Sequence, residues 1–286
     1  MLWILGPGRS GSTWLLDLLR ALPGVLGLNE PLVGAHLGLR QSAVTGLAYD
    51  RDPRVLDSEG DRDDYFFSRA TRPVWERDLR RLILRRLAVA AVRGTRLREA
   101  LPSRIVIKEP NGSSGASALL GALPASRLLF LVRDGRDVID SALDGVSGGW
   151  ITESSGYEVA GSADRLTFLE NRALLWVDRM DLMQRAFDGH DPSLRTLVRY
   201  ETLRADTPSE LSRIADWAGI AASAASIKTA SDAHAFEAIP ATARGPGRFA
   251  RSATPGLWRE RFAAEEAVLV NRIMGPTLAR LGYSAE

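Results

Sequence analysis

Near its start the chain reads Gly6-Pro7-Gly8-Arg9-Ser10-Gly11-Ser12-Thr13, directly after the apolar run Leu2–Leu5. Glycines let successive backbone N–H groups converge on one point. A helix beginning there adds the positive end of its dipole. Ser10, Ser12 and Thr13 bring hydroxyl donors, and Arg9 brings a full positive charge. Together these groups make an anion cradle; the plain alternative is a tight turn with no ligand. The loop is not of the ATP-binding type, which requires G-x-x-x-x-G-K-[ST]. Gly6 and Gly11 have that spacing, but Ser12 stands where the lysine belongs.

A second constellation follows the continuously apolar run Leu128–Val132, with Arg133 next and Ser141 eight residues on. In a parallel sheet the strands' carboxyl ends share one edge, where ligands bind. Arg133 and the 6–13 loop then face one crevice, which suits a ligand with two separated phosphate-type groups. The competing reading pairs Arg133 and Arg136 with Asp134, Asp137 or Asp140.

These groups need elements to hold them. Residues 2–5, 104–110, 128–132 and 194–203 read as strands, the last leading into a turn, and 24–31 as a further short strand. Apolar spacing marks helices at 13–22 and 74–100; 112–124 reads as a loop and helix, 163–188 and 259–281 as helices, and another helix starts near Gly135. Thr207-Pro208-Ser209-Glu210 matches a capping box with proline at the first helical position, predicting a helix to about Ala218. Strands alternating with helices predict an α/β fold, a central parallel sheet with helices on both faces. No repeat, linker or boundary divides the chain, so 1–286 reads as one domain. Residues 32–72 lack clear periodicity, which marks a functional or mobile insert more often than a structural one. The arginines of 74–100 (Arg77, Arg80, Arg81, Arg85, Arg86) read as a solvated helix face.

Composition narrows the function. In 286 residues there is no cysteine, which excludes disulfides, thiolate metal sites and a cysteine nucleophile. The three histidines (His36, His190, His234) are far apart, so no metal site is expected. A net charge of +2 does not suggest a nucleic-acid binder. Lys108 and Lys228 are the sole lysines among 37 basic residues, which singles out Lys108. The apolar start lacks a basic leader and breaks after Leu5, and no stretch approaches about 18 apolar residues. The expectation is a cytoplasmic protein without a membrane partner.

At this point the sequence resembles a known family, the sulfotransferases that use 3′-phosphoadenosine 5′-phosphosulfate (PAPS). "PGRSGSTWL" is similar to their 5′-phosphosulfate loop, whose basic residue is Lys or Arg. "LVRDGRDVIDSAL" is similar to their 3′-phosphate motif, an Arg followed eight residues later by Ser. "VRYETL" resembles their strand with a Tyr before an acidic residue, and "RFARSATPGLWRERF" their C-terminal loop ending in G-x-W. The first two are specific as a pair. The resemblance implies a P-loop NTPase-like sulfotransferase fold. It implies that Gly8, Arg9, Ser10, Gly11, Ser12 and Thr13 form the phosphosulfate loop. Arg133 and Ser141 would take the 3′-phosphate with help from Arg251, and Trp14, Tyr200 and Phe236 would surround the adenine. Trp14 reads equally as a core aromatic under the first helix. The C-terminal loop departs from the cytosolic pattern, with Arg251-Ser252-Ala253 in place of Arg-Lys-Gly.

The implied reaction moves a sulfonate from PAPS to an acceptor hydroxyl, less readily an amine, leaving 3′-phosphoadenosine 5′-phosphate (PAP). Positioning and charge stabilisation carry such transfers, and no metal is expected. Arg9 would stabilise the sulfonate oxygens and the leaving phosphate. The cytosolic branch takes the acceptor's proton with a histidine in Lys-Thr-His; here the strand end is Lys108-Glu109-Pro110. Other branches use a glutamate after the first helix, where Glu30 stands in "LNEPL". Glu30 is therefore the expected base, with Glu109 and His36 behind it. Apolar neighbours would raise its pKa; a capping or surface carboxylate is its plain alternative. Lys108 binds the leaving group or sulfonate, or forms a strand-end ion pair with no such role. The inserts 32–72 and 144–160 are expected to recognise a small-molecule acceptor, with Tyr65, Phe66, Phe67, Trp150 and Tyr157 as lining or lid residues. A nucleotide or small-molecule kinase and a silent nucleotide-binding protein are the alternatives.

Overall fold

The computed structural model describes residues 1–31, 42–45, 48–51, 70–94, 104–156, 158–159 and 161–284. Five parallel strands form its centre, in the order β2-β5-β1-β6-β7: β1 Leu2–Leu5, β2 Val25–Asn29, β5 Arg104–Lys108, β6 Arg127–Val132 and β7 Arg195–Arg199. A separate antiparallel hairpin pairs β3, Ser42–Thr45, with β4, Ala48–Arg51. The weakly patterned region thus holds a hairpin that its composition did not announce.

The period-2 geometry of β1 divides the core in two. Trp3 and Leu5 face one layer, with Ile107, Phe130 and Val132 beside them. Above them pack Trp75, Leu79, Ile83 and Leu87 of α2 (Arg72–Gly94). Phe168, Trp176 and Met180 of α6 (Ser162–Asp188) and Met274 of α11 (Ala264–Arg280) complete that layer. Leu2 and Ile4 face the other layer, against Leu15, Leu16, Leu18 and Leu19 of α1 (Ser12–Arg20) and Leu211 and Ile214 of α8 (Thr207–Ala218). All four side chains of β1 are buried, as a strand covered on both faces requires. The expected α/β architecture is what is found.

The remaining helices are α3 (Ala116–Ala122), α4 (Gly135–Val146), α5 (Trp150–Ser155), α7 (Tyr200–Ala205), α9 (Ala224–Ala233) and α10 (Trp258–Arg261). Several boundaries differ from the sequence reading for local reasons. The last strand stops at Arg199, and Tyr200 opens α7 instead of continuing the strand. The cap of α8 is Asp206, which accepts the Ser209 N–H at 3.2 Å, one residue before the expected Thr207. The C-terminal helix is broken at Phe262, and the Glu266 carboxylate takes the Ala263 N–H at 2.9 Å to start α11 afresh. α5 and α9 were not anticipated. Among the described residues, no helix is long and apolar enough to cross a membrane.

Candidate functional site

Because the five strands run parallel, their carboxyl ends meet along one edge, and each delivers one chemically useful side chain. Arg9 follows β1, Glu30 follows β2, Lys108 ends β5, Arg133 follows β6 and Tyr200 follows β7. All five line one cleft of about 620 Å³, within the usual range for small-ligand pockets.

The loop after β1 is built on two glycines. Gly6 crosses β6 so closely that a Cβ there would fall 2.2 Å from the Leu131 carbonyl oxygen. Ser113 locks the crossing from below: its hydroxyl accepts the Gly6 N–H at 2.9 Å and donates to the Gly6 carbonyl at 2.7 Å. Gly11 has φ +84°, and a Cβ on it would sit 2.6 Å from the Tyr200 ring. Gly11→Ala therefore combines a left-handed backbone with a ring clash, and is expected to cost about 1–3 kcal/mol. A lowered melting temperature in thermal denaturation is the measurement. α1 begins at Ser12, so its unpaired N–H groups open toward the cleft.

Arg9, itself at φ +66°, crosses the cleft. Its Nε donates to the Ser141 hydroxyl at 3.1 Å and a terminal nitrogen to the Phe249 carbonyl at 2.8 Å. Its guanidinium lies over the Phe249 and Trp150 rings, 4.5 and 5.3 Å from their centres. Burial first, then Arg133 and Arg251, push its pKa down to about 10. It stays cationic at neutral pH, held in a field that an incoming anion relieves. Arg133 donates to the Arg9 carbonyl at 2.9 Å and lies over the Tyr200 ring at 4.4 Å. The two halves expected to hold separated anionic groups thus touch directly. The competing reading held for Arg136, whose guanidinium pairs with Asp134 at 2.8 Å.

The structure sorts the other expected residues. Gly8, Ser12, Thr13, Trp14, Ser141, Phe236 and Arg251 line the cleft. Trp14 anchors its ring nitrogen on the His234 carbonyl at 2.8 Å and meets Tyr200 edge-on. The Ser10 side chain is fully buried and not on the cleft wall. Arg251 directs its charge to Asp140, 2.5 Å away. Glu30 pairs with the Lys108 ammonium, which also donates to the Asn29 side chain at 3.2 Å. Its neighbour is thus a buried cation, where apolar side chains were expected. Glu109 is fully buried and off the cleft wall. His36, Tyr65, Phe66, Phe67 and Tyr157 lie outside the described residues.

Three supports of the cleft were misassigned or overlooked: Asp137 and Asp140 were read as partners of Arg133 or Arg136, and Asp144 was not singled out. Asp137, Asp140 and Asp144 recur at helical spacing on α4 and all three are buried. They grip one segment, residues 247–261. Asp137 accepts the Gly256 N–H at 2.7 Å, and burial raises its pKa despite that bond. Asp140 pairs with Arg251 and, at 2.9 Å, with Arg261. Asp144 accepts the Gly247 N–H at 2.8 Å and pairs with Arg261. Their i, i+3, i+7 spacing was the available signal.

A family model described as "Sulfotransferase family" matches residues 2–224. A search of curated proteins by sequence finds no match. Among solved structures, sulfotransferase STF9 from Mycobacterium avium is 18% identical with a TM-score of 0.56, covering 99% of this chain and 77% of that one. A mouse sulfotransferase complexed with PAP is 10% identical with a TM-score of 0.54, covering 97% and 83%. A retinol dehydratase in complex with androsterone and PAP is 18% identical with a TM-score of 0.52, covering 97% and 80%. With a family model spanning most of its length, over the loop and the Arg133 motif alike, the chain belongs to the sulfotransferase family.

Proposed function

We propose that the chain transfers the sulfonate of PAPS to a hydroxyl, less readily an amine, of a small-molecule acceptor. One observation carries this reading. The glycine loop and the Arg133–Ser141 motif line a single cleft and are joined by the Arg9–Ser141 and Arg133–Arg9 hydrogen bonds. Two cationic halves of one cleft suit a nucleotide phosphorylated at both its 5′ and 3′ positions. The residues present fit the donor. The α1 N-terminus and Arg9 would hold its 5′ end, Arg133 and Ser141 its 3′-phosphate, and Trp14, Tyr200 and Phe236 its base. Bound there, the donor supplies the group to be transferred.

The chain's own groups do the rest. Arg9 is held by hydrogen bonds and two rings, which fixes its charge in place as negative charge builds. Glu30 receives the acceptor's proton, because its carboxylate is on the cleft wall and a third exposed. Lys108 orients that carboxylate and sets a second cation beside the reacting centre. The acceptor lies against Trp150, Phe249, Ile239 and Pro240, an apolar wall suited to a small organic molecule. Residues 144–160, which carry Trp150, and the insert at 32–72 are assigned to acceptor recognition within one domain.

A thermal-shift titration tests the reading. PAP at about 100 times its Kd should stabilise the fold by about 2.7 kcal/mol, a rise of about 5–10 °C. ATP with Mg²⁺ should give no comparable rise, and the reverse order would favour a kinase. A screen of hydroxyl and amine acceptors with labelled PAPS then reads transfer directly.

A further inference from the structure

The turn that carries Arg133 is held from behind by the C-terminal end of the chain. Glu201, the second residue of α7, bridges the two. One carboxylate oxygen accepts the Asp134 N–H at 3.0 Å, and the other accepts the Tyr283 hydroxyl at 2.9 Å. Arg199 lies over the Tyr283 ring, 4.7 Å from its centre, and donates to the Leu281 carbonyl. Arg136 adds a second tie, donating to the Ser284 carbonyl at 2.7 Å while it pairs with Asp134. Residues 281–284 thereby hold the turn at Asp134, through Glu201, and at Arg136, and none of the four lines the cleft.

That grip acts on a crowded hinge. A Cβ on Gly135 would lie 2.1 Å from Met274 of α11 and 2.6 Å from Trp176 of α6, so the turn is pressed between two helices. Its forward face carries the Arg133 guanidinium, over the ring of Tyr200. Tyr200 and Glu201 are adjacent, so one dipeptide supplies both the ring under Arg133 and the carboxylate behind it. Burial, and next the charge of Glu201, keep the Tyr283 hydroxyl protonated far above its ordinary pKa. It therefore remains a donor across the working range of pH.

We propose that Tyr283 and Glu201 are positioning residues that set Arg133 for the 3′-phosphate, so the C-terminal segment tunes how strongly the cleft prefers a 3′-phosphorylated nucleotide. This rests on the nucleotide reading above. Neither residue lines the cleft, and the effect expected of them is on the 3′ end of the ligand. A residue that merely stabilised the fold would weaken every nucleotide alike.

The test is calorimetric titration of the full chain with PAP and with adenosine 5′-phosphate, which lacks the 3′ group. Tyr283→Phe keeps the ring and removes the hydroxyl. It is expected to weaken PAP by about three- to tenfold, the range of one net hydrogen bond, and to leave adenosine 5′-phosphate unchanged. Arg133→Ala should erase most of the preference, and adding Tyr283→Phe to it should cost nothing further, since the two act through one contact. Equal weakening of both nucleotides, no weakening of PAP, or additive losses in the double variant would each overturn the proposal. If the unaltered chain binds PAP no better than adenosine 5′-phosphate, the nucleotide reading itself falls, and the proposal with it.

Discussion

Glu30→Gln is expected to lower kcat by about 10²- to 10⁴-fold, the usual worth of a positioned general base, while the affinity for PAP is unchanged. The reason is local. Glu30 sits at φ +47°, a left-handed conformation that a side-chain-bearing residue keeps only where its surroundings impose it. Two contacts impose it here: its N–H donates to the Lys108 carbonyl at 2.8 Å, and its carboxylate pairs with the Lys108 ammonium. Glutamine preserves the shape and an oxygen for that ammonium, but cannot take a proton. Turnover kinetics with a saturating acceptor, beside a PAP titration, separates the two effects. Full turnover in the variant would show that another group is the base. Glu109→Gln is the control. Glu109 is buried away from the cleft wall, so the change is expected to alter stability and leave the chemical step intact.

The second large effect is on the fold. Asp140 is fully buried between Arg251 and Arg261, and Arg251 is itself only 6% exposed. Asp140→Ala strands a buried guanidinium without its counter-charge, a class of change that costs about 3–5 kcal/mol. Set against a total stability of about 5–15 kcal/mol, that is a large share. It corresponds to a fall in melting temperature of about 6–20 °C. Urea unfolding of the two proteins measures it. An unchanged midpoint would mean that solvent or a neighbouring carboxylate already satisfies Arg251.

How much of this was legible in the sequence depended on the separation of the partners. The Gly6–Thr13 loop and the Arg133…Ser141 spacing are local patterns, and both led to the cleft. That the sheet is parallel, with helices on both faces, followed from alternating elements; the order of its strands did not. The supports of the site were not legible. Ser113 clamps Gly6 across 107 positions, and Phe249 brackets Arg9 across 240; nothing in either neighbourhood marks the pairing. Glu30 illustrates a different failure. Its apolar sequence neighbours suggested an apolar setting, but strand pairing sets Asn29 beside Lys108, and the lysine reaches Glu30. Tyr200 was placed on the strand read over 194–203, whereas it opens a helix.

The three aspartates of α4 carry one more implication. Their common face exists because a helix turns about 100° per residue, and the same helix presents Ser141 to the cleft. Inserting or deleting a single residue upstream of them would swing the carboxylates a quarter-turn or more off the 247–261 segment, and Ser141 with them. Length variation in natural or engineered relatives should therefore be tolerated in the surrounding connections, while this rod keeps its count of residues like the teeth of a key.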